Sequence, residues 1–224
     1  MNKKQKISFC SILIVTIIIC VSLLCCRNTK KEDLPVIAQA LSLYQDGNFE
    51  KAKLYFEQAD KEGVSEASFA LGALYFSGKG VKADINKALF YYHKAAQANY
   101  APAQTTLALM YMNGSEIEQD TETALFFAEK ATENGDKEAP IILASWFENG
   151  QYVPKDLQKA VRFYEIAAKK GNINAKMALS AIYKDGKGSV LPNIFTAKRW
   201  EDSIQKQTRF DKIFQNRLPD PKTK

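Results

Sequence analysis

Four sets of residues recur at one fixed step. Ala67, Ala103, Ala139 and Ala175 lie 36 residues apart, as do Leu71, Leu107, Leu143 and Leu179. Gly78, Gly114, Gly150 and Gly186 keep that interval, and so do Tyr75, Tyr111, Phe147 and Tyr183. A fixed period in this range marks an array of stacked units, each burying its apolar face only against its neighbours. Such arrays usually bind other proteins rather than do chemistry.

Within residues 67–99, Ala67, Ala70, Leu71, Leu74 and Tyr75 fall at helical spacing and predict a first helix with one apolar face. Gly72, Ala108, Ala144 and Ser180 keep a small residue where two helices approach closely. Gly78 ends this helix, because glycine closes a helix in the left-handed conformation without a Cβ penalty. Asp84, Asp120 and Asp156 then start a second helix, their carboxylates accepting bonds from unpaired backbone N–H groups, and Asn193 does so one residue late. Alanine follows each cap by four residues (Ala88, Ala124, Ala160, Ala197), and an aromatic by seven (Tyr91, Phe127, Phe163, Trp200). Small and large residues one turn apart give knob-and-gap packing. Asn99, Gly135 and Gly171 close the second helices, and Pro102 and Pro140 sit in first turns, where proline is tolerated.

A divergent unit precedes these four. Ala52, Tyr55 and Ala59 lie one period before Ala88, Tyr91 and Ala95, and Asn48 is the expected N-cap. Its inter-helix loop is five residues shorter, because Tyr44 and Gly47 lie 31 residues, not 36, before Tyr75 and Gly78.

The run Ala-x3-Leu-Gly-x2-Tyr-x2-Gly-x-Gly-Val-x2-Asp-x3-Ala at residues 67–88 resembles the Sel-one-like repeat family, a longer-looped relative of the tetratricopeptide repeat. Residues 156–168 resemble that family's second helix through Ala160, Tyr164, Ala167 and Ala168, and the first unit looks more like a tetratricopeptide repeat. The last unit departs from the pattern, losing the Gly-Val loop and the aspartate. The resemblance covers about 38–204 and implies an all-α, right-handed α/α solenoid of about five helix-turn-helix repeats. The expected division is a membrane segment at 1–31, a divergent repeat at 32–66, four repeats at 67–204, and a capping helix and tail at 205–224.

Residues 7–26 contain no charge and follow Lys3, Lys4 and Lys6. Twenty residues at a rise of about 1.5 Å reach roughly 30 Å, the thickness of a bilayer core. An uncleaved signal anchor is one reading. A lipoprotein signal cut and lipidated at Cys26 is the other, although cysteine at position 25 departs from the usual small residue before the acceptor. Basic residues flank both ends, so charge decides orientation only weakly. All four cysteines lie in this segment, so the body uses no disulfide, unlike the cysteine-rich branch of the family.

Residues 1–31 carry six bases and no acid, which equals the whole net charge of +6; the remainder holds 25 bases against 25 acids. The basic balance therefore belongs to the leader, and a nucleic-acid partner loses its main support. His93, alone of its kind and without ligand-type neighbours, is expected on a solvated helix face and not in a metal site. The Gly78-Lys79-Gly80 and Gly186-Lys187-Gly188 loops join helix to helix and read as turns, not phosphate cradles. No catalytic residues, metal, cofactor or small-molecule substrate are expected.

Positions that change between repeats are free of packing duty. In tetratricopeptide-like arrays the first helices line a concave groove, so the resemblance places Phe69, Phe76, Leu109, Met112, Ile141, Glu148 and Lys184 near a partner protein or peptide. Trp146, aligned with Leu74 and Met110, is expected in the core. Phe210, Ile213 and Phe214 predict a capping helix at about 203–217.

The expectation is a membrane-tethered adaptor in a bacterial cell envelope, anchored in the inner membrane or as a lipoprotein, its repeats facing the periplasm. A periplasmic immunity protein neutralising a secreted antibacterial effector is the alternative. A peptidoglycan- or β-lactam-related enzyme ranks third.

Overall fold

The computed structural model describes residues 35–215. The apolar run at 7–26, Cys26 and the tail after Gln215 lie outside the described residues. Among the described residues ten α-helices follow one another: α1 (Val36–Gln45), α2 (Phe49–Lys61), α3 (Ser65–Ser77), α4 (Ile85–Gln97), α5 (Ala101–Asn113), α6 (Thr121–Glu133), α7 (Ala139–Asn149), α8 (Leu157–Lys169), α9 (Ile173–Asp185) and α10 (Ile194–Gln215). Among the described residues there is no strand, only an isolated bridge between Lys187 and Val190. The chain forms two compact units that meet in sequence between Ala83 and Asp84.

In the first unit, α1 to α3 bury Ala40, Ala52, Phe56, Ala59, Ala67, Leu71 and Leu74 completely. The loop after α3 folds back onto α2. A Cβ at Gly80 would sit 2.6 Å from the Phe49 Cβ, so only glycine lets the loop lie this close. Lys79 reinforces the contact, its Nζ standing 5.9 Å from the Tyr44 ring and 5.4 Å from the Phe49 ring. Asn48 stands before α2 but makes no side-chain capping bond, contrary to expectation.

In the second unit the repeat grammar is met in bonds. Asp120, Asp156 and Asn193 accept from the backbone N–H groups of Thr123, Lys159 and Thr196, each at 3.0 Å. Asp84 caps α4 the same way, through Lys87 at 3.0 Å. The capping residue's own N–H reaches back to the preceding helix: Asp120 to the Tyr111 carbonyl and Asp156 to that of Phe147, both at 2.9 Å, and Asn193 to that of Tyr183 at 2.6 Å. This clasp closes each hairpin. Packing then joins hairpin to hairpin in one core that includes Leu143, Trp146, Leu157, Ala160, Ala167, Ala175 and Leu179. Burying one such leucine contributes about 1.5–3 kcal/mol.

A second polar system recurs between hairpins. Asn134, at the end of α6, donates to Gln104 (2.9 Å) and Asn99 (3.4 Å), while Gln104 donates to the Ala96 carbonyl (3.0 Å). Lys170, one period on, donates to the Asp136 carbonyl at 2.8 Å. In the last hairpin Gln207 takes this part, accepting from the buried Lys176 (2.6 Å) and donating to the Gly171 carbonyl (2.9 Å). α6, α8 and α10 are thereby fastened to the turn of the hairpin before each of them.

The separate cap expected from about 203 is not a separate helix. α10 runs 22 residues without a break. The second helices end where Asn99, Gly135 and Gly171 adopt φ of 60°, 93° and 90°. The residue in register in the last unit is Thr208, which stays helical, so the helix runs on.

Candidate functional site

The expected partner positions separate in the structure. In the first unit, Phe76 is 46 % exposed at the end of α3 and Phe69 is half-buried. In the second, Leu109 on α5 is 37 % exposed, and Lys184 on α9 faces solvent. Ile141 is half-buried and packs against the core from α7. Met112 must be withdrawn: it is fully buried, in the core cluster that also holds Ala108, Ala124 and Leu143. Met112→Ala is accordingly expected to cost about 2–5 kcal/mol in thermal unfolding and to leave partner affinity of the folded fraction unchanged.

Glu148 anchors a polar cluster at the end of α7. Its carboxylate accepts from the Tyr164 hydroxyl and from Lys187, each at 2.6 Å. Burial alone would push the Glu148 carboxyl up, but the bonds from Lys187 and Tyr164, and the charges of Lys187 and Lys155, hold it below the usual carboxylate range. Burial, then the hydrogen bond and charge of Glu148, push the Tyr164 hydroxyl up. A depressed folded-state carboxyl stabilises the fold above the unfolded value of about 4.3, and that share is lost as pH falls through the lower folded value. Lys187→Met should therefore flatten the acid-side fall in melting temperature between about pH 5 and pH 3, by a share worth roughly 1 kcal/mol after solvent screening.

His93 does not lie on a solvated face. It is half-buried, its Nε2 lies 3.1 Å from the Tyr111 hydroxyl, and its ring packs edge-on to Phe127 at 5.5 Å. Burial holds its pKa below the usual histidine value. The pairing is periodic: Tyr183 meets Glu165, also 18 residues upstream, and burial followed by Glu165 pushes that phenol up. Tyr111 also stacks on Phe127 at 6.2 Å, as Phe147 does on Phe163 at 6.0 Å. Trp146 is in the core as expected.

Sequence reasoning passed over three features. Met177, in register with Ile141, is 57 % exposed on α9. Phe90 and Phe126, one period apart on the second helices α4 and α6, are also largely exposed, each with its ring edge-on to the neighbouring Tyr91 or Phe127. The third is Ser203-Ile204-Gln205-Lys206, a Ser-x-x-Lys spacing of the type β-lactam chemistry uses, whose supposed absence had counted against the enzyme reading. It lies in mid α10 beside a cleft of about 360 Å³ lined by Glu165, Lys169, Thr196, Arg199, Trp200 and Ser203. Ser203 and Lys206 are not hydrogen-bonded to each other. Among the described residues no group of three His, Cys, Asp or Glu could hold a metal ion, and no helix is long and apolar enough to cross a membrane.

Clasped helical hairpins with variable residues on their first helices define a repeat protein of the docking-scaffold class. The Sel1 repeat model matches residues 37–63, 65–100, 101–136, 141–172 and 173–200, and the chain belongs to that family. Its solenoids generally bind other proteins. A solved Sel1 repeat protein from Oxalobacter formigenes is 26 % identical with a TM-score of 0.65, over 76 % of this chain and 71 % of its own. A protective antigen present in uropathogenic Escherichia coli strains is 28 % identical with a TM-score of 0.61, over 69 % of this chain and 33 % of that one. HcpE of Helicobacter pylori, named as a β-lactamase, is 39 % identical over 54 residues, which is 24 % of this chain and 15 % of that protein.

Proposed function

We propose that this protein is a tethered adaptor whose first helices receive one partner protein. The observation that carries the reading is the exposure of Leu109, Met177 and Lys184 on first helices, at positions whose residue type changes along the array. A scaffold keeps its packing positions and varies the ones its partner reads. Leu109 and Met177 supply apolar contact there, and Lys184 and the Glu148–Lys187 pair supply charge. Tethering rests on the uncharged run at 7–26, held as an anchor or replaced by a lipid on Cys26, with the repeats on the far side of a bacterial inner membrane.

The test is site-specific photocrosslinking in intact cells. A crosslinker at residue 109 or 184 should trap one discrete partner, and Leu109→Asp should abolish the product from 184. Equal trapping from 90 and 126 on the second helices would overturn the first-helix reading. The intact mass of the purified protein decides between a retained leader and lipidation at Cys26.

A further inference from the structure

The last repeat departs from the others at its tip. Leu191, Ile194 and Phe195, where the loop enters α10, are 82 %, 73 % and 87 % exposed. Ile194 is in register with Leu157, which is buried and lies 3.4 Å from where a Cβ on Gly188 of the following loop would stand. Its exposure could reflect the end of the array alone. The other two cannot be read that way. Phe195 stands where the earlier repeats have Glu50, Asn86, Glu122 and Gln158, and Leu191 stands where they have Lys82, Glu118 and Pro154. Elsewhere the last described repeat turns polar: Lys198 replaces the buried Val161, and Glu201 replaces the buried Tyr164. The repeat thus gains charge along the helix and apolar bulk at its tip.

The two layers are ordered. Lys198 lies one turn behind Ile194, and Arg199 one turn behind Phe195, so each apolar side chain has an exposed base about 6 Å further along the same face. Lys184 and Lys187 flank the loop against one acid, Asp185, and Lys187 is already paired with Glu148. The N-terminal end of α10 adds partial positive charge at the tip. Apolar groups in front and bases about one turn behind match the depth profile of an anionic bilayer surface, where acyl chains lie beneath phosphates. We infer that the Leu191–Phe195 tip docks on an anionic lipid surface, with Lys198 and Arg199 meeting the phosphates.

The test is hydrogen exchange on the full chain reconstituted in phosphatidylglycerol vesicles and, separately, in phosphatidylcholine vesicles. Amides of residues 189–196 should exchange about tenfold more slowly on phosphatidylglycerol. A Leu191→Ser, Ile194→Ser, Phe195→Ser triple variant should lose that protection. Lys198→Gln with Arg199→Gln should shrink the difference between the two lipids several-fold. All five side chains are exposed, and circular dichroism of the variants should match the parent. Equal exchange on both lipids would overturn the inference. So would protection that rises with protein concentration at fixed lipid, which would assign the tip to a second copy of the chain.

Discussion

Gly114→Val should be among the most damaging single changes in the body of this protein. Gly114 closes α5 with φ of 65°, donating its N–H to the Met110 carbonyl at 3.1 Å. An L side chain in that conformation costs about 1–2 kcal/mol. A Cβ there would also stand 2.7 Å from the Gln119 Cβ and 3.2 Å from its Cα, so the loop that delivers Asp120 to its clasp would have to move. Together the two penalties should exceed about 3 kcal/mol. Gly135→Ala separates them. Gly135 has φ of 93° with nothing within 4 Å of an added Cβ, so it should lose only about 1 kcal/mol. Thermal melts of the two variants check this. Similar losses would mean that the contact with Gln119 contributes nothing.

Ala160→Phe should lose about 3 kcal/mol or more. Ala160 is fully buried in the core, one turn into α8. Overpacking is costly because protein interiors are packed like organic crystals and cannot take up a ring without displacing neighbours. Arg162→Phe, two residues on, adds a comparable ring at an exposed position and should shift the melt by less than about 0.5 kcal/mol. Equal melting of the two variants would remove the argument that recurrent alanines set hairpin spacing.

The repeat register was legible because it rests on short-range chemistry. A capping aspartate, a turn glycine and an alanine facing a large residue act within one turn or one hairpin. Burial at the ends of the first helices was not legible. Met112 and Phe76 share one register, yet one is buried and the other exposed, and neither the period nor the residue type separates them. His93 was misjudged because its surroundings, Tyr111 and Phe127, come from the next hairpin. Asn48 shows a related failure: a residue fit for capping stands at the right place without making the bond. The Ser203–Lys206 spacing was visible in the sequence, but only the structure shows that the two side chains are not hydrogen-bonded to each other. For the partner-facing surface, the sequence indicated which positions vary but not which of them reach solvent.

Thr208 holds the place at which the earlier hairpins reverse direction, and it leaves α10 unbroken. How many hairpins the described array holds is therefore decided at one residue. A duplicated repeat joined after that point would inherit a rigid rod in place of a corner. New hairpins are far more readily accommodated upstream, between existing corners, so lengthening of this protein, in evolution or by engineering, should proceed from the interior and leave the final hairpin at the rim.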